Sequence, residues 1–466
     1  MRLNEKTLFL LSGVAVFLLF LVPVQSDDLF MCLALGRRLL TLGEFGATDP
    51  FLFTIRNYEW HLWHEWLSYL VYFGLFAALG MTGIVVLKAT MVVAATTLIW
   101  RGGRRVGAPA LLVMLISLVA LAIALPRIGD RASFFSDLMT CLLIYLFTST
   151  SAPRARRWLP GLFIIWVQLH PAFPVGLLLV FLFIATSWPG WTRRERQTWV
   201  WTGALCLAAT LINPLGLEGL LYPLRKFIAP EWDIFREINS EWQGSLTSPH
   251  LGSIYKICFV AFLGAVLSAS LLQIRRRGWF PVAAAATVIY LSLSAVRFLA
   301  LGGFGGGVLL VAACAHRQWS WHRWKTRSAR VLTLAIPLTG IAWSFASTDV
   351  GPLALWRGQV ISASVPLAAA RQFHHLSPGN IFNEYNLGGL LVWELDGRMK
   401  VAAHGHIDSP SLVKSNIMRF SNTREDFEEL VIGGEVKYFF VHRETIASQP
   451  LAGFVLRPGT LYAAVV

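Results

Sequence analysis

Long apolar runs alternate along this chain with short segments rich in arginine. Read as helices crossing a hydrocarbon slab, the runs cover 7–25, 84–100, 107–125, 133–149, 158–169, 171–189, 198–213, 253–274, 279–296, 298–315 and 331–346, about eleven spans in all. A twelfth apolar stretch, Trp66–Gly80, fits this alternation only as a helix lying in or dipping into one leaflet, because counting it as a span would invert the next basic loop. The first run follows Arg2 and Lys6 and is too long for a signal-peptide core, so it reads as an uncleaved signal-anchor.

Basic residues orient the array. The clusters Arg101–Arg105, Arg154–Arg157, Arg193–Arg196, Arg275–Arg277 and Arg317–Arg330, with the N-terminus, hold two acids, Glu5 and Glu195. Loops of that composition collect on the cytoplasmic side. The N-terminus is then inside and the segment after Ser347 outside. Composition agrees: 55% of residues are hydrophobic and 14% charged, whereas soluble domains carry about 25% charged residues. The net charge of +14 belongs to the cytoplasmic loops, and a nucleic-acid partner is excluded. Five widely spaced cysteines suggest neither a disulfide framework nor a zinc site.

With this orientation the polar residues that interrupt the apolar pattern gather on the outer face: Asp27, Asp28, His61, His64, Glu65, Arg127, Asp130, Arg131, His170, Asn213 and Glu241. Charge at the edge of hydrocarbon is costly unless paired or solvated, so a one-sided collection reads as a site. The first outer loop, 26–83, opens on Asp27-Asp28 and continues with Leu29, Leu33, Leu35, Leu39, Leu40 and Leu42 on one helical arc, which predicts an interfacial helix. The Thr48-Asp49-Pro50 turn stops it, and the tryptophan-rich stretch 60–66 marks the headgroup level. His61 and Glu65 share a helical face, either as hydrogen-bonding, substrate-positioning groups or as metal ligands. The outer loop 214–252 has mixed charges that suit a lid or a solvated surface.

The pattern divides the chain at 346/347. Residues 1–346 form an all-α polytopic membrane domain, and 347–466 a small C-terminal α/β extracytoplasmic domain. In the latter, Ile381–Asn383, Leu390–Trp393, Lys400–Ala403 and Tyr438–Val441 read as strands, with Gly388-Gly389 and Asp396-Gly397 as turns. His404, His406 and Asp408 alternate along one strand face, which is either solvated or a transition-metal site.

The segments DDLFMCLALGRRLLTLGEFGATDPFLFT, WHLWHEWLSYL, DRASFFS around Arg131, WVQLHPAFPVG, INPLG, NSEWQGS, VRF, FNEYNLGGLLVWEL and KVAAHGHID occur in this order nearly end to end. In order and spacing the chain resembles a family of bacterial multi-pass proteins related to the GT-C glycosyltransferases, which use polyprenyl-phosphate-linked sugar donors. It departs from that pattern at Met31-Cys32, where relatives tend to carry an aromatic-histidine pair. It departs again at Gln168–Pro171, in place of Asn-x-His-Gly, and at His404-Gly405-His406, in place of Asp-Gly-Arg. The resemblance implies a GT-C-like fold in the bacterial inner membrane. It also implies transfer of a sugar from a polyprenyl-phosphate donor to a glycan, lipid or protein acceptor on the outer face. No cofactor is assigned, and a divalent metal is left open.

The residues suit such chemistry. Transfer needs a carboxylate to take a proton from the acceptor hydroxyl and cations to stabilise the departing phosphate. Asp28, which matches the acid of the family pattern, and Asp27 supply the first. Arg127 and Arg131 supply the second, unless one of them bridges to Asp130. His61, His64, Glu65 and His170 are the candidate substrate-positioning groups. Two other readings remain: a transporter or flippase for a lipid-linked solute, against which stand few midplane polar residues and no internal repeat, and a non-catalytic assembly subunit.

Overall fold

The structure is a computed structural model that describes residues 5–43, 45–46, 48–55, 57, 59, 62–149, 152–228, 240–314, 327–347, 351–406 and 436–442. The contacts gather into two compact units. One comprises Met1–Pro23, Val85–Ala229 and Phe235–Val360; the other Val24–Ile84, Pro230–Ile234 and Ile361–Val466.

A helix stands at each apolar run of the sequence: Glu5–Leu19, Met81–Arg105, Ala110–Ala124, Ser133–Thr148, Leu159–Leu169, Phe173–Ser187, Arg193–Ala209, Ser253–Leu271, Phe280–Ser294, Leu299–Ala313 and Arg327–Ala346. Among the described residues, five helices are long and apolar enough to cross a membrane, and four shorter apolar ones accompany them. Local chemistry sets many of the ends. Prolines occupy the first turns of Leu159–Leu169, Phe173–Ser187 and Phe280–Ser294, where the missing N–H costs nothing. Thr192 caps Arg193–Ala209 reciprocally with Glu195, and the Thr192 N–H and hydroxyl hold the Glu195 carboxyl below its ordinary range. The INPLG motif is a turn. Asn213 Oδ1 accepts from Leu215 N–H at 2.8 Å, and its amide donates to the Thr210 and Gly216 carbonyls at 2.7 and 3.0 Å.

The core of this unit is built around Leu299–Ala313, buried on nearly every side. Its glycines form two rows four residues apart. Gly303 and Gly307 face Ala120, Ala124 and Ile99, while Gly302 and Gly306 face Ser292, Phe262 and Val266. Small residues at this spacing let helix backbones approach closely where no hydrophobic drive separates protein from lipid. A Cβ on Gly303 would overlap the Ala120 carbonyl oxygen and stand 2.9 Å from Ala124 N. Because both are backbone atoms, Gly303→Ala is expected to force the helices apart and cost about 1–3 kcal/mol. A thermal midpoint in detergent equal to the parent's would show that the crossing is looser than this.

In the other unit, helix Asp27–Leu42 packs against Trp66–Leu79 and Gly388–Leu395. Leu29, Phe30, Met31, Cys32, Leu33, Ala34 and Leu35 are all buried, so the single apolar arc expected for 29–42 is replaced by burial around the whole circumference over its first two turns. Gly36 admits the second helix, since a side chain there would overlap the Tyr69 carbonyl. The strands Asn380–Asn383 and Val436–Phe440 pair in parallel, and Val401 bridges in parallel to both Ile381 and Leu52.

Three local expectations fail. Lys400–Ala403 is not a strand, and Val401 alone makes isolated bridges there. Leu390–Trp393 is helix, not strand, and Gly388-Gly389 is its first turn. A short, wholly buried apolar run has no periodicity to separate the two states, and Gly388 is needed because a side chain there would overlap the Ala403 carbonyl. The face of His404 and His406 is not a solvated strand either. The chain turns at Gly405-His406, and His404 is fully buried. Asp396 and Gly397 do form the expected turn, both at positive φ (50° and 78°).

Candidate functional site

In the first unit, two arginines converge on a loop carboxylate. The short 3-10 turn Leu125–Arg127 ends helix Ala110–Ala124, and Arg131 follows just before Ser133–Thr148. Arg127 grips both oxygens of Glu241, Nη1 to Oε1 at 2.9 Å and Nη2 to Oε2 at 3.3 Å. Arg131 Nη1 also pairs with Oε1. The two-pronged guanidinium geometry suits a carboxylate or a phosphate equally. The loop that delivers Glu241 is held by backbone bonds from Arg297 N to Glu241 O and Val296 N to Gln243 O, both 3.0 Å. The Arg297 guanidinium lies 4.2 Å from the Trp242 ring centroid, a cation–π contact. The NSEWQGS and VRF segments are therefore one structure.

Asp130 is held by Lys88, Nζ to Oδ1 at 3.0 Å, with both side chains almost completely buried. Lys88 also donates to the Val22 carbonyl at 2.8 Å. His170 ends helix Leu159–Leu169 and is buried. Its Nδ1 accepts from Ala172 N–H at 3.2 Å and lies 2.9 Å from Ser136 Oγ. Since Ser136 Oγ itself accepts from Trp166 Nε1 at 2.7 Å, its proton goes to Nδ1, and the neutral ring carries its own proton on Nε2. The sequence singled out His170 but carried no sign of the Trp166–Ser136 relay that fixes it.

In the second unit, Asp28 lies in the first turn of Asp27–Leu42. Ser26 is the N-cap residue and its side chain makes no capping bond, so the aspartates stand inside the helix rather than cap it. The Asp27 side chain and His61 lie outside the described residues, as do Glu231, Asp233, Arg236, Glu237 and Asp408. Asp28 faces Gly405: a Cβ there would stand 3.0 Å from Asp28 Oδ1. The 402–406 turn is built by the FNEYN segment. Asn383 accepts from Ala402 N–H at 2.9 Å and donates to the Ala403 carbonyl at 2.8 Å, and the Tyr385 hydroxyl donates to the Gly405 carbonyl at 3.0 Å.

Beneath that turn, His404 Nε2 meets Asp49 Oδ2 at 2.6 Å with both side chains fully buried. His404 Nδ1 accepts from His406 N–H at 3.2 Å, so the Nε2 proton is the one donated to Asp49. Asp49 also closes its own turn by accepting from Phe51 N–H at 2.7 Å. His64 and Glu65 lie 3.6 Å apart in the 3-10 turn Leu62–Glu65. Among the described residues no group of three or more His, Cys, Asp or Glu side chains is placed to hold a metal.

No protein-family model matches the chain, and no curated protein sequence does. Among solved structures it is similar to the oligosaccharyltransferase of Archaeoglobus fulgidus in its apo form. The TM-score is 0.59 and the identity 12%, over 94% of this chain and 69% of that one. ArnT from Cupriavidus metallidurans gives a TM-score of 0.48 at 14% identity in two forms. The apo state is matched over 95% of this chain and 94% of that one, and the form bound to undecaprenyl phosphate over 92% and 91%. The ArnT scores are too low to argue from, and the first match is a likeness of fold.

Proposed function

From a multi-pass membrane chain of the GT-C type, we propose a membrane glycosyltransferase that moves a sugar from a polyprenyl-phosphate-linked donor to an acceptor on the outer face of the membrane. The observation that carries this reading is the grip of Arg127 and Arg131 on a single carboxylate. An arginine pair that binds both oxygens of one anion has the geometry to hold a phosphate head as sugar departs. Asp28 serves as the base that takes the acceptor proton, and Asp27 is its neighbour in that role. Gly405 supports the assignment of Asp28 in that a side chain there would stand 3.0 Å from Asp28 Oδ1. His170, with Nε2–H as donor, and His64 with Glu65 position substrate; His61 is proposed for the same role from its place in the sequence.

Purified protein in lipid, offered polyprenyl-phosphate sugars and assayed for release of polyprenyl phosphate, tests the reaction. Mass spectrometry of lipid carriers and surface glycans in a deletion strain would identify donor and acceptor. Failure of every donor, together with unchanged glycans, would overturn the reading.

The orientation is proposed with it: N-terminus inside, about eleven spans, and residues 347–466 outside. In a cysteine-free background, a maleimide that cannot cross the membrane is expected to label Ser377→Cys and to miss Arg104→Cys in intact cells. Both parent residues are exposed. The reverse labelling would put Asp28 on the wrong side for an outer-face reaction.

A further inference from the structure

We propose that Glu241 is a built-in competing anion, occupying the arginine clamp until a phosphate group displaces it. The inference rests on the reading of Arg127 and Arg131 as a phosphate clamp and adds the regulation of that clamp. Glu241 is not a distant surface partner. Its side chain and that of Arg127 are mostly shielded, at 19% and 8% exposure, and Arg127 meets it with two parallel contacts. A carboxylate bound side-on by a guanidinium presents the same pair of oxygens that a phosphate does, so the two anions compete for one set of N–H groups.

The segment that carries Glu241 is made to hold one place. Arg297 and Val296 donate backbone bonds to residues 241 and 243, Trp242 lies against the Arg297 guanidinium, and Ser245 Oγ donates to the Ser292 carbonyl at 2.6 Å. The anchors from 243 onward do not depend on the Glu241 side chain. Rotation of that side chain would take the Glu241 carboxylate out of the clamp with the backbone of the loop in place. When a phosphate enters, the displaced carboxylate goes to water. When the phosphate leaves, Glu241 returns and blocks rebinding, which turns the clamp over. The occupant is a phosphate group, either the head of a lipid or free phosphate.

The apparent affinity of a clamp open only part of the time falls in proportion to the open fraction. If Glu241 closes it about nine-tenths of the time, Glu241→Gln should bind polyprenyl monophosphate in nanodiscs about tenfold more tightly than the parent. Glutamine keeps the size and one acceptor oxygen, while Glu241→Asp keeps the charge and should stay near parent affinity. Equal or weaker binding by a folded Glu241→Gln protein overturns the proposal. A parallel titration with inorganic phosphate separates the sources. A gain there as well supports the gate with the phosphate alone as ligand, and a gain confined to the lipid supports it with the lipid head.

Arg127→Ala/Arg131→Ala distinguishes the two levels of the argument. If this double variant binds the lipid like the parent, the clamp itself falls. If it loses binding while Glu241→Gln gains nothing, the gate alone falls. Should Glu241→Gln fail to fold, a variant that keeps Glu241 carries the test. Ser240→Cys with Glu241 intact should be alkylated faster when polyprenyl monophosphate is bound, and an unchanged rate at saturating lipid would overturn the displacement.

Discussion

Asp28→Asn is expected to lower turnover about 10²–10⁴-fold while leaving the protein folded, because a positioned base contributes that range to a proton transfer. Asparagine matches the size of aspartate but takes no proton at neutral pH. Asp28 is in the first helical turn rather than at the cap, where the charge–dipole interaction that the change removes is about 0.3–1 kcal/mol. Donor-lipid binding should persist, since the arginines are untouched, and a KM near the parent's with a collapsed kcat is the expected signature. Near-normal kcat would eliminate Asp28 as the base. Lipid transport continuing in the variant without any transfer would favour the flippase reading, and an assembly subunit would show neither activity in either protein.

The second large effect is on stability. Lys88 and Asp130 form an ion pair from which water is nearly excluded, and removing one partner of such a pair strands the other charge. Asp130→Ala is expected to cost about 3–5 kcal/mol, read as a fall in the thermal midpoint of the detergent-solubilised protein. The Val22 carbonyl remains to Lys88, but a dipole does not replace a full charge. Lys88→Met combined with Asp130→Leu should recover most of the loss, because a well-packed apolar pair is often as good as the buried ion pair it replaces. A loss under about 1 kcal/mol for Asp130→Ala would mean that Lys88 is solvated like an exposed pair.

Long apolar runs were the most legible feature, since a helix that must bury all its backbone polarity leaves a continuous signature in sequence. Each run has its helix, and the fold is similar to that of the Archaeoglobus fulgidus oligosaccharyltransferase. What resisted reading is contact between distant segments. Arg127 and Arg131 were identified as anion binders, but that Glu241 fills their grip depends on a loop more than a hundred residues away. The pairing of Asp49 with His404 has no local trace, and a fully buried histidine looked in sequence like one member of an alternating polar face. Neither glycine row of Leu299–Ala313 breaks the apolar pattern, although GGFGGG places Gly303 and Gly307 at the spacing that packed membrane helices use. Leu390–Trp393 was misread for the converse reason: its burial erased the periodicity that tells strand from helix.

The parallel bridges that join Leu52 to Val401 and Val401 to Ile381 also set an order of events in synthesis. Ribosomes add about 5–20 residues per second, so roughly 20–70 s separate the emergence of Leu52 from that of Val401. Throughout that interval the apolar circumference of Leu29–Leu35 and the carboxylate of Asp49 have no 388–404 segment to pack against. Closing a loop this long costs little more entropy than closing one half its length, but it cannot begin early. The unit therefore completes late in synthesis: Asp27–Leu42 can pack early against Trp66–Leu79, but its contact with Gly388–Leu395 waits for the last part of the chain.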